Sequence, residues 1–157
     1  MPKLSILEAS AADYNALGEV MYRAVHQGDS PYSQPQREAW LGAPRKGADW
    51  AARLSEQYVS MAQDKSGKIH GFMSLRPDGY VAFAYILEGS RGQGLFRALY
   101  ETLEALAREN GLSGLSTHAS LMARPAFEAV DFNVVHPECV SIDGEQLKRF
   151  AMEKALL

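Results

Sequence analysis

The chain has 157 residues, of which 46% are hydrophobic and 22% charged, with a formal net charge of -3 and one cysteine. That length suits a single domain over residues 1–157, because one core usually serves about 100–150 residues. The negative balance excludes non-specific attraction to nucleic acid or an anionic membrane, where surplus cations must neutralise phosphates. The lone Cys139 excludes an internal disulfide and a cysteine-rich zinc site, and reads as a small buried hydrophobe.

Lys3 to Glu8 alternates apolar and polar residues as a strand does, and Ser10-Ala11-Ala12-Asp13 opens a helix with a capping-box pattern. Leu17, Met21, Ala24 and Val25 recur at helical spacing until Gly28-Asp29-Ser30-Pro31, which ends this helix near Gln27. From Tyr32 to Gln57 the pattern is irregular. Pro35, Pro44 and Gly47 act as breaks between short helical pieces centred on Arg37–Trp40 and Trp50–Leu54, and the whole reads as a flap over one edge. Three strands follow, Tyr58–Gln63, Ile69–Arg76 and Tyr80–Leu87, joined by the turns Asp64-Lys65-Ser66-Gly67 and Pro77-Asp78-Gly79. Leu95, Leu99, Leu103 and Leu106 then form the apolar stripe of a helix ending at Asn110-Gly111, with Arg97, Glu101, Glu104 and Arg108 on its far side. A strand Leu115–Ala119, a helix Leu121–Val130 and a hairpin of Phe132–Ile142 and Leu147–Lys154 about Asp143-Gly144 complete the chain. The predicted order is β-α-α-β-β-β-α-β-α-β-β. No stretch approaches the ~18 apolar residues of a membrane span, and no leader pattern stands at Met1 to Ser10, so a cytoplasmic protein is expected.

The most informative segment is Ile86 to Leu95, where a strand passes through Glu88-Gly89-Ser90-Arg91-Gly92-Gln93-Gly94 directly into a helix. Unpaired N–H groups at a helix start, backed by the macrodipole, attract anions, and glycines let a phosphate approach without a Cβ. Arg91 offers an added charge. The nucleotide loop G-x-x-x-x-G-K-[ST] is absent and no βαβ unit precedes the helix, which disfavours nucleoside triphosphates and dinucleotides.

Arg91-Gly92-Gln93-Gly94-Leu95-Phe96, taken with the order of elements, resembles the acetyl-coenzyme A loop [QR]-x-x-G-x-[GA] of the GNAT superfamily of N-acetyltransferases. Thr117-His118-Ala119-Ser120, Ala123-Arg124-Pro125-Ala126-Phe127-Glu128 and Asp131-Phe132-Asn133-Val134-Val135 are similar to a branch of it, as are Tyr32-Ser33 with Trp40 and the ending Phe150–Lys154. Three departures stand out. Phe96 replaces a small residue and must turn aside or narrow the cofactor's path, Ala126 replaces an aromatic, and Asp131 replaces a glycine that closes a helix.

The resemblance implies an α/β fold, with helices flanking a mixed, mostly antiparallel sheet of about seven strands. It implies that Tyr80–Leu87 splays from Leu115–Ala119, and that acetyl-CoA binds in the cleft and gives its acetyl group directly to a primary amine. Cofactor contacts then fall on Tyr85, Ile86, Leu87, Arg91, Gly92, Gln93, Gly94, Leu95, Phe96, Ser120 and Arg124. No metal is implied. An alkyl amine must lose a proton before it attacks, so a base is needed, and Glu88, His118 and Asp131 are the candidates. The position at which many relatives carry a thiolate-protonating tyrosine holds Phe127, which leaves Tyr85, Tyr80 and Ser120 as proton or hydrogen-bond donors. The acceptor pocket is expected under the flap at Tyr22, His26, Tyr32, Trp40 and Tyr80, near Asp29 and Glu38, where aromatic faces and carboxylates suit a cation. The acceptor is a small-molecule or peptide amine. A homodimer through the closing hairpin is compatible with the sequence. The alternatives are a non-catalytic acyl-CoA sensor and a protein-interaction domain.

Overall fold

Alternation at the start of the chain produces β1 (Leu4–Glu8), an edge strand paired antiparallel to β2 (Tyr58–Asp64) in the computed structural model, which describes residues 3–156. Met1, Pro2 and Leu157, at the ends of the expected domain span, lie outside the described residues. Three helices connect these strands, α1 (Tyr14–His26), α2 (Gln34–Trp40) and α3 (Gly47–Ser55). The predicted order counted the flap as one helical unit, and it holds two. Pro35, expected as a break, instead occupies the first turn of α2, where a missing N–H leaves no bond unmade. Ser33 caps that helix, its Oγ accepting from the Gln36 N–H at 3.2 Å.

β2, β3 (Ile69–Leu75) and β4 (Tyr80–Ile86) form the meander. After them come α4 (Leu95–Glu109), β5 (Gly114–Ser120), α5 (Arg124–Ala129), β6 (Asn133–Ile142) and β7 (Glu145–Ala155). The seven strands lie in the order β1-β2-β3-β4-β5-β7-β6, and only β4 and β5 run parallel. The α/β fold with a mostly antiparallel sheet is therefore as expected. α5 is shorter than predicted, because Leu121 to Ala123 form a turn before it. Among the described residues, no helix is long and apolar enough to cross a membrane.

The sheet is covered on both faces. Leu95, Leu99 and Leu103 of α4 bury against Met73, Leu75, Val81, Phe127 and Phe132, while Leu17 and Met21 of α1 and Trp50 and Leu54 of α3 bury against Met61, Phe72 and Phe83. Removing each such side chain from water contributes about 1.5–3 kcal/mol. Cys139 is a correction: it is exposed on the outer strand β6 rather than buried.

Three bulges interrupt the alternation, and the one in β6 leaves Val135 without a partner between Val134 and His136. Ser74 pairs with Phe83 but Leu75 pairs with Val81, so β4 carries one extra residue, Ala82. Val81 consequently joins the core on the α4 side and Phe83 the core on the α1 side. Strict alternation would set Tyr80 and Tyr85 on opposite faces, and the bulge gives them the same one. In β3, Ala62 pairs with Gly71 but Gln63 with Ile69, which leaves His70 as the extra residue.

Candidate active site

Although β4 and β5 each have seven residues, they pair only at Tyr80↔Ser116 and Val81↔Thr117. Thr117 Oγ1 donates to the Val81 carbonyl at 2.9 Å and closes this short ladder. Beyond it the strands part. Two cavities open at the parting, one of about 760 Å³ under the flap and one of about 380 Å³ against the starts of α4 and α5. Trp40, Tyr85 and Ser120 line both, so the cavities meet at a shared wall.

The smaller cavity is walled mostly by apolar side chains and opens onto the glycine loop at the start of α4. Gly92 and Gly94 adopt φ of 75° and 79°, and a Cβ on either would meet nothing within 4 Å. They leave open approach to the N-terminus of the fifteen-residue α4, where free N–H groups favour an anion. Tyr85, Ile86, Arg91, Gly92, Gly94, Leu95, Phe96 and Ser120 line this cavity, and three other predicted contacts do not. Leu87 is buried in the α1-side core, Gln93 folds back to donate to the Gly89 carbonyl at 3.3 Å, and Arg124 lies over the Phe150 ring at 4.5 Å. Arg91 reaches the cavity wall, but its guanidinium donates to the Ile86 carbonyl at 3.1 Å and the Ala24 carbonyl at 2.9 Å. Its role in the structure is to tie the end of β4 to α1.

Phe96 turns aside, its ring edge-on to Phe127 at 5.0 Å, and Phe127 itself is only 2% exposed. Asp131 lines neither cavity. It takes φ 73° where α5 ends, and the Phe132 N–H returns to the Phe127 carbonyl at 3.0 Å as in a glycine-closed cap. Two polar lining residues were missed. Arg97, assigned to the far side of its helix, stands in the first turn of α4, a position that itself signalled proximity to the loop, and it donates to the Ala129 carbonyl at 2.7 Å. Ser90 is hydrogen-bonded to His70 Nδ1 at 2.9 Å, and His70 Nε2 to Asp64 Oδ2 at 2.9 Å.

Tyr32, Trp40, Tyr80, Tyr85, His118 and Ser120 line the larger cavity. Tyr22 and His26 do not. Their rings stack at 4.4 Å, and His26 Nε2 bonds the Leu41 carbonyl, so the pair fastens α1 to the flap. The Tyr32 hydroxyl accepts from the Leu121 N–H at 2.9 Å and donates to the Lys148 carbonyl, pinning the flap across the parting. Glu88 is exposed and lines neither cavity, its carboxylate lying against Gly28. Asp29 and Glu38 are also absent from the wall. Arg45, Arg53, Arg76, Lys148 and Arg149 stand there instead, with Glu56 as the one carboxylate.

His118 sits at the centre of a chain of polar contacts. Its Nδ1 is 2.7 Å from the Tyr80 hydroxyl, its Nε2 is 3.6 Å from Glu138 Oε1, and that oxygen accepts from Arg149 Nε at 2.9 Å. With Tyr80 donating, Nδ1 accepts and Nε2–H points toward Glu138. Burial and then the Arg149 charge hold the imidazole below its ordinary 6.5, with Glu138 opposing them. The ring is therefore neutral at pH 7. Burial pushes both Tyr80 and Tyr85 above the ordinary tyrosine value of 10, against the nearby arginine charges, so both hydroxyls keep their protons.

The acetyltransferase (GNAT) domain model matches residues 28–156. Among solved structures, a GCN5-related N-acetyltransferase from Rhodopseudomonas palustris is 29% identical over 99% of this chain and 98% of that one, with a TM-score of 0.89. The yncA protein of Salmonella typhimurium, solved with its cofactor acetyl-CoA, is 22% identical over 99% and 95% of the two chains, with a TM-score of 0.68. A phosphinothricin acetyltransferase from Sinorhizobium meliloti, in complex with acetyl-CoA, is 19% identical over 98% and 88%, with a TM-score of 0.74. Among curated proteins, none matches the sequence.

Proposed function

The chain belongs to the GNAT acetyltransferase family and is an acetyl-CoA-dependent acetyltransferase, and from that premise we propose that it acetylates the primary amine of a small molecule held in the larger cavity. The observation that carries this reading is the shared wall of Trp40, Tyr85 and Ser120, through which a donor in one cavity reaches an acceptor in the other. The phosphinothricin acetyltransferase among the neighbours supports a small acceptor.

Gly92, Gly94 and the first turn of α4 with Arg97 would hold the pyrophosphate, and the open edge of β4 near Ile86 would receive the arm. Bound acetyl-CoA supplies an activated acetyl group and a thiol leaving group of ordinary pKa about 8.5. An alkyl ammonium has a pKa near 10, so the acceptor must lose a proton before it attacks. The Tyr80 oxygen takes that proton while its own passes to His118 Nδ1, and the resulting imidazolium faces the Glu138 carboxylate. Tyr85, kept protonated by burial, holds a proton at the shared wall for the departing sulfur. Ser120 Oγ accepts from the Ala123 N–H at 3.1 Å, so its own proton remains available at the same wall. Placing two reactants in one geometry supplies much of the rate.

Calorimetric titration with acetyl-CoA, beside ATP and NAD, tests the cofactor assignment, and thiol release across a panel of primary amines tests turnover. Selective binding with amine-dependent release is expected. Binding without release from any amine would leave the acyl-CoA sensor as the reading.

A further inference from the structure

Resting on the proposed amine acetylation, we propose that the acceptor carries its own carboxylate, as an amino acid does, and that Arg45 and Arg53 bind this group at the rim of the larger cavity. The chain as a whole is negative, with a net charge of -3, yet this one cavity gathers four arginines and a lysine around a single glutamate. Two of these cations are already matched: Arg76 pairs with Asp78 at 2.6 Å and Arg149 with Glu138 at 2.9 Å. Among the described residues, Arg45, Arg53 and Lys148 line the cavity without a carboxylate partner within 4 Å. Arg53 is also held in place, its guanidinium over the Phe83 ring at 4.7 Å.

Such a wall repels an ammonium. A simple cationic amine meets like charge on entering, whereas an amine bearing a carboxylate enters with no net charge and offers two oxygens to the guanidinium fork. The charges of Arg45 and Arg76, after burial, make Arg53 less basic than usual, so a bound anion relieves their mutual repulsion. The same cations favour the neutral form of the acceptor amine, which is the form that attacks. The carboxylates Asp29 and Glu38, which would favour a cationic acceptor, lie outside the cavity.

The test is thiol release from acetyl-CoA with matched acceptors: phenylalanine against 2-phenylethylamine, leucine against 3-methylbutylamine, and 2-aminoethylphosphonate against ethylamine. The acid-bearing member of the carboxylate pairs should show kcat/KM higher by at least about tenfold, the scale of one charge-assisted hydrogen bond. Arg53→Gln and Arg45→Gln should raise KM for the amino acids by about tenfold, while KM for 2-phenylethylamine does not rise, since a like charge is removed, and KM for acetyl-CoA stays within about twofold. Equal or better turnover of the plain amines, or preference for the phosphonate alone, overturns the carboxylate assignment with the acetyltransferase reading intact. Absence of release with every amine overturns that reading and this inference with it.

Discussion

The imidazole of His118 answers to groups on three strands: the Tyr80 hydroxyl on β4, Glu138 and His136 on β6, and Arg149 on β7. Burial and Arg149 lower its proton affinity, so kcat at saturating substrates should hold on acidification to below pH 6.5 and then fall as the ring charges. In Glu138→Gln the ring loses a supporting negative charge. The acid limb should then move to lower pH while the plateau drops, because the imidazolium formed in the reaction has no counter-charge. A profile from pH 5 to 9 with an unmoved limb would place Glu138 outside the proton path. Asp131 presents the opposite case, a carboxylate with a backbone role. It stands at φ 73° away from both cavities, so Asp131→Gly should stabilise the fold by about 0.5–1 kcal/mol and raise Tm by roughly 1–4 °C with kcat unchanged.

At the scale of elements, Gly18 shows how the flap is seated. A Cβ on this α1 residue would lie 1.8 Å from the Arg45 carbonyl, so only glycine lets the chain between α2 and α3 pass so close to the helix. Gly18→Ala should cost about 1–3 kcal/mol through overpacking. Because it displaces the backbone that carries Arg45, it should raise KM for the acceptor more than KM for acetyl-CoA, which steady-state kinetics would separate. Equal effects on both would show that the flap positions nothing at the acceptor cavity. The same element marks the limit of what periodicity reveals. The amphipathic stripes of α1 and α4, the meander and the glycine loop were legible, because each is written in local spacing or turn chemistry. Two features were not. The bulges at Ala82 and His70 follow from long-range register, so neither the shared face of Tyr80 and Tyr85 nor the Asp64–His70–Ser90 chain can be read from alternation. The displacement of Tyr22 and His26 from the larger cavity is also tertiary: helical spacing set them beside the flap, but the bond from His26 to the Leu41 carbonyl that turns the pair away joins residues far apart in the chain.

At the scale of the molecule, the closing strand is fastened to the helix behind the cofactor loop by one carboxylate. Glu104 of α4 accepts from the Tyr100 hydroxyl at 2.7 Å and from Lys154 of β7, and pairs with Arg108 at 3.3 Å, while Arg108 reaches the Leu156 carbonyl. Burial alone would raise its pKa, but the hydrogen bonds from Lys154 and Tyr100 win and hold it at about 2, below the ordinary 4.5. A carboxylate whose pKa is depressed by folding stabilises the native state fully above its unfolded value, and that contribution fades as pH falls through the folded value. The window for this clasp is therefore from about pH 4.5 down to about 2. Glu104→Gln removes the ionisable group, so the variant should be less stable than the native protein at pH 7, and the gap should narrow as both are taken through that window. Urea melts at pH 7, 4 and 2.5 would measure it. Since Tyr100 and Lys154 keep an oxygen acceptor in the glutamine variant, a gap that stays constant across the three would mean that the clasp acts through shape and neutral hydrogen bonding rather than charge, and that acid unfolding of this domain begins elsewhere.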